Sequence, residues 1–489
     1  MLFEKIKSEI LAHNSYIVGA GGEAAVIDPR RDCLIYAEIA ERENMKITKI
    51  FETHKNEDYV IGSRELARPT GAEILHGARE EFRFGTDVRE GETFRVGSLE
   101  FEVLETPGHT IESISLLLRD RSVSDDPLMV FTGDALFAGD VGRTDLAGRD
   151  RWREMSELLY SSLHEKILPL PDGVIVCPGH GAGSVCGGNI SDREYTTIGY
   201  EKATNPLLSL TREKFVERKV SERLYEPPYF EMMRRLNREG PPLIYNLPAL
   251  RAYSAREIRS LLGKGAQVVD IRSPTSFAGG HIPGTLNIWR EGLPLYMGYY
   301  LNYEDPIVLV DDFNLDLSTV VRHFVRLGYD NVSGYIAGGF AAWFKQGESI
   351  ERAGTWSPPD LAEHLEDPSI WVLDVRNINS REEDGYIQGS HHIYVGHLEE
   401  HLEEIPEEKQ IVVHCDVGYK GSLAASILEK HGFANVINLL GGTIGWEAAN
   451  YPLVKDEERP LSVSPALSRW NPEWQCGSFQ PAPAPLPLS

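Results

Sequence analysis

Positive charge is scarce in this 489-residue chain. There are 49 Lys and Arg against 74 Asp and Glu, a formal net charge of −25 at neutral pH. So acidic a surface argues against nucleic acid and anionic membranes as partners, and its plainest consequence is solubility. Cysteine is rarer still, with five residues at positions 33, 177, 186, 415 and 476. An odd, sparse set makes no disulfide framework and points to a reducing compartment, the cytoplasm. The opening run Met1-Leu2-Phe3-Glu4-Lys5-Ile6-Lys7 is charged and has no apolar core of a secretory signal. No apolar run approaches the ~18 residues that span a membrane. With 42% hydrophobic residues the chain can bury ordinary cores, and at ~150 residues per domain its length predicts about three. Self-association into a homo-oligomer stays open.

What is present divides unevenly. Residues 1–245 alternate short apolar strands with amphipathic helices. Ser15-Tyr16-Ile17-Val18 and Ala24-Ala25-Val26-Ile27 read as a hairpin around Gly21-Gly22. Four further strands end just before a polar residue of interest. Ile47–Glu52 precedes His54, Leu99–Leu104 precedes His109, Leu128–Phe131 precedes Asp134, and Val174–Cys177 precedes His180. Loops at strand ends on a rigid sheet are where sites are built.

The remainder repeats itself. Val268-Val269-Asp270-Ile271-Arg272 returns as Val372-Leu373-Asp374-Val375-Arg376, and Ile307-Val308-Leu309-Val310 as Ile411-Val412-Val413-His414. Gly338-Gly339-Phe340-Ala341-Ala342-Trp343 returns as Gly441-Gly442-Thr443-Ile444-Gly445-Trp446. A near-constant offset predicts two copies of one small α/β domain, over 250–350 and 355–458. From 459 to 489 the chain is Pro-rich and reads as an extended tail.

The first unit carries a metal motif short of two imidazoles. Thr53-His54-Lys55-Asn56-Glu57-Asp58-Tyr59 stands where a Thr-His-x-His-x-Asp-His pattern belongs, while His109, Asp134 and His180 follow in order. Two imidazoles and a carboxylate, His54, His109 and Asp134, suffice for one ion with open positions. That set suits oxygen-activating iron(II) better than paired zinc.

These residues, with Gly133-Asp134-Ala135-Leu136-Phe137, Gly142-Arg143-Thr144-Asp145 and Pro178-Gly179-His180-Gly181, resemble the metallo-β-lactamase fold superfamily over about residues 1–210. Within it, the pattern is similar to the persulfide dioxygenases. The resemblance implies an αββα sandwich and one Fe(2+) per chain held by the positions of His54, His109 and Asp134. In dinuclear members Asn56 would be a ligand of the first ion, and Asp58, Tyr59 and His180 of a second, so a second ion is not expected here. Asp58 and His180 are then free to orient ligands or water, and Tyr59 to hydrogen-bond substrate or oxygen. Arg143 is a candidate substrate contact.

The last copy carries Cys415 in Val413-His414-Cys415-Asp416-Val417-Gly418-Tyr419-Lys420-Gly421-Ser422, read as a strand-to-helix loop with the helix opening near Ser422. Backbone N–H groups around one sulfur and a positive helix end would stabilise a thiolate and then a persulfide. These domains resemble rhodaneses, single-domain sulfurtransferases. The family's usual Arg at the end of the loop is here Lys420, a point charge without the bidentate grip. A phosphate loop would need Arg where Gly421 stands. In the 250–350 copy Asp311 takes the place of Cys415, within Val310-Asp311-Asp312-Phe313-Asn314-Leu315-Asp316. Carboxylates there repel an anionic sulfur donor, so this copy is expected to be an inactive spacer that positions the other two.

Together the resemblances imply a non-heme iron persulfide dioxygenase coupled to a sulfurtransferase. It would oxidise a glutathione- or coenzyme A-type persulfide with O2 to sulfite, with Cys415 exchanging sulfur between sulfite and thiosulfate. Two alternatives stay open: a zinc-dependent thioester hydrolase of the glyoxalase II kind, using Zn(2+), and a metal-independent sulfur carrier.

Overall fold

The computed structural model describes residues 1–455 apart from 9 and 81. The Pro-rich segment 459–489, with Cys476, lies outside the described residues.

Two six-stranded sheets build the first unit. β1 (Leu2–Ser8), β2 (His13–Ala20), β3 (Glu23–Ile27), β4 (Lys46–Glu52), β5 (Glu73–Gly77) and β6 (Thr86–Val88) pair in sequence order. β7 (Thr93–Val96), β8 (Leu99–Glu105), β9 (Ile114–Asp120), β10 (Met129–Gly133), β11 (Ile175–Pro178) and β12 (Thr196–Thr197) form the second, again each beside the next. The pleat of β2 shows why the sheets stack. Tyr16, Val18 and Ala20 enter the core between the sheets with Phe51, Phe101 and Phe131, whereas Ile17 joins the outer core under a helix. Helices Leu34–Arg42 and Ser63–Thr70 cover the first sheet, Trp152–Ser162 and Arg212–Val220 the second. The layers are αββα, as the sequence implied.

Strand direction then gathers the candidate ligands. β9 is antiparallel to both β8 and β10, and β11 is parallel to β10. The chain therefore leaves β8, β10 and β11 at one edge, delivering His109, Asp134 and His180 together. β4 brings His54 to the same edge, where the Ile114 N–H donates to the Thr53 carbonyl at 2.8 Å.

Two five-stranded sheets follow, parallel throughout. One runs Arg251–Tyr253, Val332–Ile336, Ile307–Val310, Gln267–Asp270, Leu286–Asn287. The other repeats it as Gly354–Trp356, Val436–Leu439, Gln410–His414, Ile370–Asp374, His391–His392. The repeat read from sequence is thus a repeat of topology.

The units are joined by more than chain. Arg31, 1% exposed, grips Asp330 through both terminal nitrogens at 2.6 and 2.8 Å, and Arg326 grips Asp32 at 2.8 Å twice. Asn287 of the middle copy accepts from the Ser422 hydroxyl at 2.6 Å, and its N–H donates to Ser426 Oγ at 3.0 Å. One hydrophobic core runs from Tyr59, Tyr229 and Phe230 through Trp289 and Phe324 to Leu423 and Ile427. The first and last units also touch directly, Tyr225 stacking on Tyr394 with ring centres 4.3 Å apart and accepting from the Ile378 N–H at 3.2 Å. No helix among the described residues is long and apolar enough to cross a membrane.

Candidate functional site

His54, His109 and Asp134 converge. Asp134 Oδ2 lies 3.7 Å from His54 Nε2 and 3.4 Å from His109 Nε2. All three residues are buried, and neither Nε2 has a hydrogen-bond partner among the described residues. Each ring is aimed by its other nitrogen. His109 Nδ1 meets the Arg143 carbonyl at 2.9 Å, and His54 Nδ1 meets Thr53 Oγ1 at 2.9 Å. Orphaned buried imidazole nitrogens are costly unless something fills the space between them. Donors bound to one ion at about 2.1 Å lie about 3.0–3.5 Å from their neighbours. These separations fit a divalent metal ion.

Burial and neighbouring charges move the three groups differently. Burial presses His54 down to about 3, so its ring is neutral. Burial also opposes the charged form of His109, but Glu57 and Asp134 outweigh it and raise its pKa. Asp134 is held below the ordinary range despite burial by His180, His54 and His109.

A second set of donors lies beside the first: Asp58, His180 and Cys186 each offer one within 4.8 Å of the others, and His180 Nε2 and both Asp58 oxygens have no hydrogen-bond partner among the described residues. His180 Nδ1 sits 2.8 Å from Asp134 Oδ1, and its Nε2 is 2.9 Å from Asp58 Oδ2. Burial works against a charged His180, yet Asp134 and Asp58 raise its pKa well above the usual value. Asn56 turns away, its amide donating to the His54 carbonyl at 3.3 Å. Tyr59 stacks on His13 with ring centres 3.9 Å apart, and its buried hydroxyl has no partner among the described residues.

Arg143 differs from its expected role as a substrate contact. Its guanidinium is bidentate to Asp145 at 2.7 Å and also donates to the carbonyls of Val185 and Tyr225 at 3.1 and 3.3 Å. With every nitrogen engaged and the residue 1% exposed, it fixes the loop whose carbonyl aims His109. The sequence lacks any sign of this, because the acceptors lie 42 and 82 residues away.

Three residues without an assigned role in the motif reading belong to the site. Glu57 Oε2 is 3.6 Å from His109 Nε2. Cys186 has its sulfur within 4.8 Å of donors from Asp58 and His180, and of donors from His109 and Asp134. Asn237, on helix Phe230–Glu239, donates to the carbonyls of Asn56 and Tyr59 at 2.7 and 2.8 Å and accepts from the Ile61 N–H at 3.0 Å. Glu57 was visible inside the motif; Asn237, far along the chain, gave no signal.

The sulfur loop departs from expectation in one respect. The helix opens at Tyr419 rather than near Ser422, because Gly418 (φ 99°) turns the chain at once. Lys420 therefore lies in the first turn, 2.6 Å from Asp416 Oδ2. Cys415 is fully buried and its sulfur accepts from the Gly418 N–H at 3.1 Å. Burial pushes the thiol pKa up, while Lys420 and the N–H groups of Gly421 and Val417 pull it down and Asp416 pushes it up. Gly442 (φ 50°) closes over the loop, and a Cβ there would fall 2.1 Å from the Cys415 carbonyl oxygen. The Thr443 N–H donates to that oxygen at 2.9 Å.

Family models agree with this division. The Metallo-beta-lactamase superfamily matches residues 9–180, and the Rhodanese-like domain matches 254–346 and 357–449. Hydroxyacylglutathione hydrolase GloC of Haemophilus influenzae is 31% identical over 209 residues, covering 38% of this chain and 87% of its own. Persulfide dioxygenase ETHE1 of Mus musculus is 30% identical over 225 residues, covering 44% and 77%. The crystal structure of a metallo-beta-lactamase from Staphylococcus aureus subsp. aureus COL aligns at TM-score 0.62 and 33% identity, covering 69% of this chain and 98% of that one. The chain belongs to the metallo-beta-lactamase superfamily. Its particular form is a fusion of that enzyme domain with two rhodanese-like domains.

Proposed function

We propose that the chain is an iron-dependent persulfide dioxygenase coupled to a sulfurtransferase. The observation that carries this is the pair of orphaned imidazole nitrogens, His54 Nε2 and His109 Nε2, set around Asp134. One ion with two imidazole nitrogens and a carboxylate is the arrangement of oxygen-using iron(II) rather than of paired zinc. Bound there, iron(II) supplies a redox centre at which dioxygen and a sulfur anion react. Overall, one persulfide, one O2 and one water give one thiol, one sulfite and two protons.

The chain's own residues supply the setting. Arg143 and Thr53 fix the two rings, which limits the reorganisation on binding. His180, held by Asp58, keeps Asp134 ionised. The surrounding burial keeps bulk water from the reacting sulfur. At the other site the Cys415 thiolate attacks the outer sulfur of thiosulfate or a persulfide. A new S–S bond forms as the donor's S–S bond breaks, and sulfite or thiol leaves. The loop N–H groups and Lys420 hold the resulting terminal sulfur anion. Run in reverse, the step joins the sulfane sulfur to sulfite as thiosulfate.

The test is oxygen consumption with glutathione persulfide or coenzyme A persulfide by iron-loaded protein. Uptake lost in His54→Ala is expected; equal uptake in both proteins, or none in either, rejects the dioxygenase reading. A second reading, zinc-dependent thioester hydrolysis, is favoured by the GloC relative. Thioester cleavage by zinc-loaded protein, without persulfide-dependent uptake by the iron form, would select it.

A further inference from the structure

Glu57 has no task in the reading above, yet it is placed as a donor. Its carboxylate is 2% exposed, and Oε2 has no hydrogen-bond partner among the described residues. It faces His109 Nε2, also without a partner, at 3.6 Å. One carboxylate oxygen of Glu57 and one ring nitrogen each of His54 and His109 lie within 4.8 Å of one another. A lone buried carboxylate is among the costliest groups a fold can carry unless a cation or donors meet it. Here the rings it faces are the same two that face Asp134.

The loop is built to put it there. Asn56 turns its amide back onto the His54 carbonyl, and Asn237 holds the carbonyls of Asn56 and Tyr59. This clamp sets the register of the segment between His54 and Tyr59 and leaves the Glu57 side chain turned inward.

We infer that Glu57 is a further ligand of the ion, so that the centre is His54, Glu57, His109 and Asp134. The inference rests on the single-ion reading and deepens it. Contacts of 3.6, 3.4 and 3.7 Å link His109 to Glu57, His109 to Asp134 and His54 to Asp134. Only a small closure brings them to the spacing of neighbouring donors on one ion. Two carboxylates neutralise a divalent cation outright. They add hard oxygen to the donor set, which favours iron(II) or manganese(II) over softer ions. Four protein donors would leave fewer open positions on the ion than three.

The experiment compares full-length wild type, Glu57→Gln and Glu57→Asp, each stripped of metal and titrated anaerobically with iron(II) against a chelator of known affinity. The iron proteins are then exposed to nitric oxide and their electron paramagnetic resonance spectra recorded. Glu57→Gln, nearly isosteric, is expected to hold iron about 10–100-fold more weakly and to give a nitrosyl spectrum of altered rhombicity, with Glu57→Asp between the two. Thermal unfolding of the metal-free proteins, expected to be similar, separates lost ligation from lost folding. Wild-type affinity and an unchanged spectrum in Glu57→Gln would overturn the assignment while leaving the single-ion centre intact. Failure of wild type itself to bind iron would overturn both.

Discussion

The 254–346 and 357–449 copies share a sheet order strand for strand but fill one loop in opposite ways. In the later copy the turn after the central strand surrounds a sulfur. The Gly418 N–H donates to Cys415 Sγ, and Lys420 and Asp416 pair alongside. In the earlier copy Asp311 occupies the cysteine's place, and its Oδ2 accepts from the N–H groups of Phe313 and Asn314 at 3.2 and 2.6 Å. Asp316 stands where Lys420 does. The same backbone donors that stabilise an anion brought in by substrate are satisfied by the protein's own carboxylate. Both loops are pinned alike, with the Phe340 N–H on the Asp311 carbonyl matching the Thr443 N–H on that of Cys415. The fold is therefore retained with a carboxylate in place of the cysteine. What the earlier copy keeps is contact, through Asp330 and Arg326 to the metal-binding unit and through Asn287 to the helix behind Cys415.

That contrast is open to experiment. Cys415→Ser should lower thiosulfate:cyanide sulfur transfer by on the order of a thousandfold or more, with metal content unchanged. Asp311→Cys alone should not restore transfer to it, since Asp312 and Asp316 still repel the donor. Recovery in that single variant would break the account of the inactive copy. Lys420→Met should slow transfer and Cys415 alkylation by about tenfold, because removing the nearby cation raises the thiol pKa further. Arg31→Ala should cost about 2 kcal/mol in urea unfolding, the worth of hydrogen bonds to a charged partner discounted because Asp330 is partly exposed. Asn287→Ala, which unpairs Ser422 and loosens the two copies, should cost about 1 kcal/mol by the same measurement.

The smallest effect concerns pH. Burial raises Asp28 to about 7, against hydrogen bonds from Thr53 that favour its ionised form. A raised folded pKa means that the native state binds this proton more tightly than the unfolded chain does. Its contribution is thus present near pH 4 and is lost as pH climbs through 7. Asp28→Asn should flatten that decline in urea-melt midpoints.

Much of this was legible in advance. Strand ends before His54, His109, Asp134 and His180 were readable because short apolar runs stop at polar residues, and β4, β8, β10 and β11 stand where those runs predicted. The repeat was readable because homologous strands keep their spacing. Arg143 was misjudged because a cation near a site reads as a substrate contact until its partners are seen. The helix start at Tyr419 was missed because Lys420 marks the family's loop end, whereas Gly418 marks where the backbone turns.

Residue order alone determined which donors exist and that two imidazoles are absent from the motif. It also determined that one copy holds a sulfur nucleophile and the other a carboxylate, since these are matters of side-chain identity at aligned positions. Only the folded chain decided that Glu57 faces inward, that His180 lies between Asp58 and Asp134, and that the middle copy packs against both of the other units. Those outcomes depend on direction and burial, and residues such as Asn237 and Arg31 impose them across distances in sequence that no local pattern spans.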